Sequence, residues 1–138
     1  MKAIKVVTNP ITLIISFLLI MISGKSIGGF YVLYLVFALP FAQSYSLLGL
    51  AGILVLVFSR FIKLRGSRIR AITNLAGASL LFCSLALFFY NDVEKYNHGT
   101  FYQLVPLMTF VLFSIIALMF LLRNLRDLNN AKTDYQVH

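Results

Sequence analysis

The stretch SRFIKLRGSRIRA, Ser59 to Ala71, puts five basic residues, Arg60, Lys63, Arg65, Arg68 and Arg70, into thirteen positions without one acid. Such a cluster can hold nucleic acid, hold anionic lipid, or keep a loop from entering a membrane, and its flanks decide among the three. Tyr45 to Ile62 precedes it and Ala71 to Tyr90 follows, and neither run contains Asp, Glu, Lys or Arg apart from Arg60 at an edge. At about 1.5 Å rise per residue, each run is near the length needed to cross a hydrocarbon layer of about 30 Å. The pattern is that of two spans joined by a charged loop.

Composition agrees with this reading. Of 138 residues, 60% are hydrophobic and 12% charged, and the mean hydropathy is +0.91. A soluble domain carries about a quarter charged residues. Here there are too few to cover a surface, so lipid is expected to cover most of it.

Working outward, three more apolar blocks emerge, roughly Pro10 to Ser23, Ile27 to Ala42 and Phe101 to Leu122, again without a charged residue inside them. The first two are short. Pro10 suits the first turn of a helix, with Asn9 or Thr8 as its cap. Pro40 should stop or kink the second block just before Gln43, because proline supplies no backbone donor. Residues 27–42 therefore form either a thin, tilted span or a segment that dips into the bilayer and returns, which is tolerated only under protein cover.

Short loops rich in Lys and Arg stay in the cytoplasm, so the 60–70 loop is assigned there. The tail, with Arg123, Arg126 and Lys132, is assigned to the same side, and the loop at 91–100, with Asp92, Glu94, Lys95 and His98, to the outside. Two arrangements of the front half remain. Five full spans put the amino terminus outside, with nine basic residues inside and three outside. A dipping block two puts Lys2 and Lys5 inside and makes the count ten against two. The first block also resembles a secretory signal, but Ile22 stands where a cleavage site after Gly24 would need a small residue, so it is read as retained.

The basic stretch offers nucleic acid little beyond charge, since it lacks a groove-reading element or a row of stacking aromatics. Attraction to anionic headgroups, about 1 kcal/mol per basic residue near the surface, accompanies such a loop automatically. Gly24, Lys25 and Ser26 spell the end of a phosphate-binding loop, but Leu19 occupies the place of its first glycine and no strand precedes it. Intramembrane catalysis needs facing polar groups, and the blocks hold neither carboxylate nor His. Asp92, Glu94 and His98 match no tight ligand spacing, and the single Cys83 lies within an apolar block. No catalytic, cofactor or metal residue is therefore expected.

Small residues point to packing. Gly49 and Gly52, Thr73 and Gly77, and Ala42 with Ser46 are spaced to let helix backbones approach, inside one bundle or between copies. Neutral polar residues, among them Asn74, Ser79, Ser84, Thr109 and Ser114, remain as possible linings of a pore. Six tyrosines, including Tyr31, Tyr34, Tyr45 and Tyr90, lie mostly near block ends, where aromatic rings favour the interface. The tail is expected to continue the last helix for about two turns and fray near Asn129 and Asn130.

The sequence thus predicts one domain, an all-α polytopic transmembrane bundle of five apolar helices, with four spans plus a short or re-entrant helix at about 27–42 and a cytoplasmic tail from residue 123. The expected partners are the bilayer, its anionic headgroups, and another membrane protein or a second copy, with no nucleic acid. The expected role is that of a non-enzymatic accessory or scaffold subunit, the alternative being a small oligomeric transporter or pore without buried charge. The expected location is a bacterial inner membrane, in keeping with small size and the lack of an Asn-x-Ser/Thr acceptor.

Overall fold

A computed structural model describes residues 6–23, 28–61, 67–92 and 96–136. Lys2, Lys5, Gly24, Lys25, Ser26, Lys63, Arg65, Glu94, Lys95 and His138 lie outside these residues. The described residues are 85% helical and form five α-helices. They are α1 (Pro10–Leu18), α2 (Tyr31–Ala38), α3 (Ser44–Phe61), α4 (Ser67–Tyr90) and α5 (Leu104–Gln136). A two-stranded hairpin, β1 (Met21–Ile22) and β2 (Gly29–Phe30), and two 3-10 turns at Leu39–Phe41 and Tyr96–Phe101 complete the described fold.

The centre of the molecule is the α3–α4 pair, which shares the most extensive interface. On α3 the buried positions are Ser46, Gly49, Gly52, Leu56 and Ser59, a stripe at helical spacing in which four of five residues are small. Against it α4 turns Ala71, Asn74, Gly77, Ala78, Leu81, Ser84 and Phe88. A Cβ at Gly52 would come within 2.8 Å of Leu81 Cδ2 and 3.0 Å of the Gly77 carbonyl oxygen, and one at Gly77 would meet Leu56 Cγ at 2.7 Å. These glycines are therefore spent on the contact between neighbouring helices within one chain. Gly49 packs likewise against Leu35 and Ser84. Thr73 bonds back to the Ile69 carbonyl at 2.9 Å, as a helical threonine often does.

Helix α5 lies against α4 and α1 along the stripe Phe113, Ala117, Phe120 and Asn124. Its opposite face is bare. The tail departs from expectation: helix α5 runs unbroken to Gln136, past Asn129 and Asn130. Helix propensity supports this, because Leu128 precedes the two asparagines, Ala131 and Lys132 follow them, and no Gly or Pro interrupts the run.

The front of the chain departs further. Asn9 is the cap of α1: its side chain accepts from the Ile11 N–H at 3.1 Å, and Pro10 opens the helix. The helix ends at Leu18, midway through the apolar run, and residues 20–23 go on as extended chain. The Met21 N–H donates to Thr109 Oγ1 and the Ser23 N–H to Thr100 Oγ1, both at 3.0 Å, while the Tyr31 N–H donates to the Ile20 carbonyl at 2.7 Å. Backbone groups released from the helix thus find partners in the fold, while Ile20 and Ile22 are buried.

Pro40 sits in the 3-10 turn that ends α2, and the chain reverses at Ala42, whose φ of 50° is left-handed. Tyr31–Phe41 and Ser44–Arg60 meet at a bend of 113°. By length and composition, Arg68–Tyr90 and Leu104–Asn130 can each cross a membrane, and a third crossing is added if the bent pair is one broken span.

Candidate functional site

Two ends of the bundle differ in chemistry. At one end Thr8, Ser59, Asn74 and Asn124 come together, which brings the starts of α1 and α4, the end of α3 and a point two-thirds along α5 to one level. At the other, Ser23, Gly99 and Thr100 meet, and Gln43 and Asn91 line one cavity.

The first end is held by a chain of buried polar groups. Ser59 Oγ lies 2.5 Å from Asn74 Oδ1 and 3.0 Å from the Leu56 carbonyl. Its single proton serves the shorter contact. Asn74 Nδ2 donates to Asn124 Oδ1 at 2.8 Å, and Asn124 Nδ2 donates to the Phe120 carbonyl at 2.8 Å. All three side chains are buried, so these bonds join α3, α4 and α5 where an unpaired amide would be costly. Among the described residues, no buried side-chain nitrogen or oxygen lacks a partner.

Beside this chain opens a polar cavity of about 300 Å³, lined by Thr8, Asn9, Pro10, Arg60, Arg70, Arg123 and Asp127 together with Ser59, Ala71, Asn74 and Asn124. An Arg123 guanidinium nitrogen donates to Thr8 Oγ1. Of the basic residues singled out in the sequence, Arg60, Arg70 and Arg123 line this cavity. Arg68, exposed as Arg60 and Arg70 also are, is not among its lining residues. Lys63 and Arg65 lie outside the described residues.

The second end holds a larger cavity of about 630 Å³ between α2 and the α3–α4 pair. Leu33, Phe37 and Phe41 supply its apolar wall, and Phe88, edge-on to Tyr34 and Tyr45 at 5.3 and 5.2 Å, its floor. Gln43, Asn91, Asp92 and Asn97 form a polar rim. Asp92 accepts the Asn97 N–H at 2.6 Å, while His98 lies between Phe89 and Phe101 with its Nε2 3.4 Å from the Phe89 carbonyl. Both side chains thus have structural contacts. Among the described residues, no three His, Cys, Asp or Glu side chains gather as a metal site would require.

Between the cavities the bundle is filled. Phe17 stacks edge-on to Tyr31 at 5.1 Å, Tyr31 edge-on to Phe88 at 5.1 Å, and Phe113 contacts Phe17 at 5.8 Å. The Tyr31 hydroxyl meets Ser84 Oγ at 2.9 Å, and Ser84 donates to the Tyr45 carbonyl at 2.7 Å. Tyr31, expected at an interface, is instead a fully buried core residue.

No family model, curated protein or solved structure matches the chain.

Sequence reading grouped Arg60 with Arg70 but gave Arg123 to the tail and Thr8 to a helix cap and passed over Asp127, because these companions come from distant parts of the chain. Asn124 did carry a signal. It continues the spacing of Phe113, Ala117 and Phe120, so a polar residue stands on the buried stripe of an otherwise apolar helix.

Proposed function

We propose that this chain is a multi-pass integral membrane protein that crosses the bilayer four times and acts, without catalysis, as a small accessory or scaffold subunit for other membrane helices. The observation that carries this reading is the bare face of α5. Leu104, Met108, Val111, Leu112, Ile115, Leu118, Met119 and Leu122 are exposed along the full length of the bundle. A continuous apolar surface of that size belongs in lipid or against another helix.

The four crossings are residues 8–23, α3, α4 and α5. The first combines about 14 Å of helix with about 13 Å of extended chain, close to the thickness of a hydrocarbon layer. Its irregular half is backed by Thr100 and Thr109, as membrane-depth backbone outside a helix demands. Helix α2, bent by 113° from α3, dips in from the outer face and returns. The polar, arginine-lined end is then cytoplasmic, together with the 60–70 loop and both termini, and the count of basic residues is ten inside to two outside. A bacterial inner membrane fits this charge pattern.

The 630 Å³ outer cavity favours a second reading, a small carrier or pore for an amphipathic solute. Because aromatic residues fill the bundle between the two cavities, a continuous path would have to run between copies.

Cysteine accessibility in intact cells tests the arrangement. In a Cys83→Ser background, single cysteines at Lys25, Ser44 and Asn97 should react with an impermeant reagent, and those at Lys2, Lys63 and Val137 should not. Labelling at Lys2 with protection at Lys25 would replace the dipping α2 by a full span. For the role itself, a larger complex should copurify in mild detergent and the isolated chain should move nothing across liposomes. Selective flux from the pure chain would overturn the scaffold reading in favour of transport.

A further inference from the structure

We infer that the polar cavity at the arginine-lined end is a binding site for a phosphate-bearing anion, seated among Arg60, Arg70 and Arg123. These three arginines come from three separate helices, the end of α3, the start of α4 and the far part of α5, yet line one cavity of about 300 Å³. Asp127 is the single carboxylate there, so the lining carries two more positive than negative charges, three minus one. Planar guanidinium groups match phosphate oxygens with paired donors.

The surroundings suit an anion in two further ways. Helix α1 begins at the cavity, with Asn9 and Pro10 in its lining, so the positive end of its dipole opens on it. The Ser59–Asn74–Asn124 chain fixes the three helices that carry the arginines, so their points of attachment are held at one end before any ligand arrives. A charged loop that merely marks topology needs neither convergence nor a cavity. Arg68 supplies the comparison: it belongs to the same basic stretch and is exposed, but it does not line the cavity.

The same phosphate chemistry is offered by an anionic lipid headgroup and by a soluble phosphate. The lipid source rests on the membrane reading above; the anion site itself does not. The test uses the full chain purified in neutral detergent, with phosphatidylglycerol, phosphatidylcholine and inorganic phosphate as probes. Binding is read by native mass spectrometry and by the shift of the thermal transition. Phosphatidylglycerol should bind and raise the transition, and Arg60→Gln and Arg70→Gln should each weaken it about tenfold. Arg68→Gln should leave binding within about twofold, which controls for diffuse loop charge. Arg123→Gln also loses the contact to Thr8, so the two loop-side variants decide the matter if that protein does not fold.

Inorganic phosphate acting as strongly as the lipid would make the ligand a soluble phosphate and keep the site. Equal losses from Arg60→Gln, Arg68→Gln and Arg70→Gln, or no response to any anion, would overturn it. The membrane reading is checked separately on the same variants, by whether they stay in the membrane fraction through alkaline extraction. Loss of anion binding with retention there would remove the site and leave that reading standing.

Discussion

The α3–α4 hairpin and residues 6–41 are both strongly apolar, but they fold by opposite means. In the hairpin, small residues recur every three or four positions, two helix backbones close on each other, and each helix satisfies its own amides. In the front segment the helices are 9 and 8 residues long, and the described chain between and after them depends on the hydroxyls of Thr100 and Thr109, a two-residue ladder and a left-handed alanine. Hydrophobicity alone therefore says that a segment will be buried or in lipid. Whether it becomes one long helix depends on what its neighbours can offer its backbone.

If the front segment belongs to the core, truncating its central aromatic should damage the whole bundle. Phe17→Ala should cost about 3–5 kcal/mol in a detergent unfolding titration, while the same change at the exposed Phe58 should cost far less. Similar losses at both positions would mean that residues 6–41 only rest on an independent hairpin. The hairpin is tested by its glycines. Gly52→Val should lower stability by up to about 3 kcal/mol, since the first carbon added already meets a backbone carbonyl oxygen at 3.0 Å. A neutral result there would show that α3 and α4 do not pack this closely.

The polar link at the arginine-lined end should matter less than the apolar core. Asn124→Ala removes the acceptor of Asn74 Nδ2, and the expected loss is about 2 kcal/mol in the same titration. The smallest effect has the opposite sign. Ala42→Gly relieves a left-handed alanine, worth about 1–2 kcal/mol, against the greater freedom of glycine in the unfolded chain, about 0.5–1 kcal/mol. A rise in midpoint of a few degrees is expected, and a fall would place the reversal before α3 elsewhere.

Much of the hairpin was legible in the residues. The basic loop, the two long apolar runs around it and the glycines at 49, 52 and 77 together describe two helices joined by a charged turn, because charge and helical spacing are local properties. The cap at Asn9 and the break at Pro40 were legible for the same reason. The hairpin strands at 21–22 and 29–30 were not, since Met21 and Ile22 read as one more turn of apolar helix and Thr109, which accepts from the Met21 N–H, stands 88 residues away. The cavity was half visible. Arg60 and Arg70 stand out as charges beside apolar runs, whereas Thr8 and Arg123 acquire meaning only when α1 and α5 bring them to the same end.

Sequence by itself determined the apolar, helix-dominated class and the recurrence of small residues along α3 and α4, because each follows from composition or from spacing along one element. Only the tertiary structure decided that α1 stops at Leu18, that Tyr31 is core, that the glycines serve the α3–α4 contact and that three arginines share one cavity. Those outcomes depend on which distant group satisfies a given amide, hydroxyl or charge, and that pairing exists only once the helices are packed.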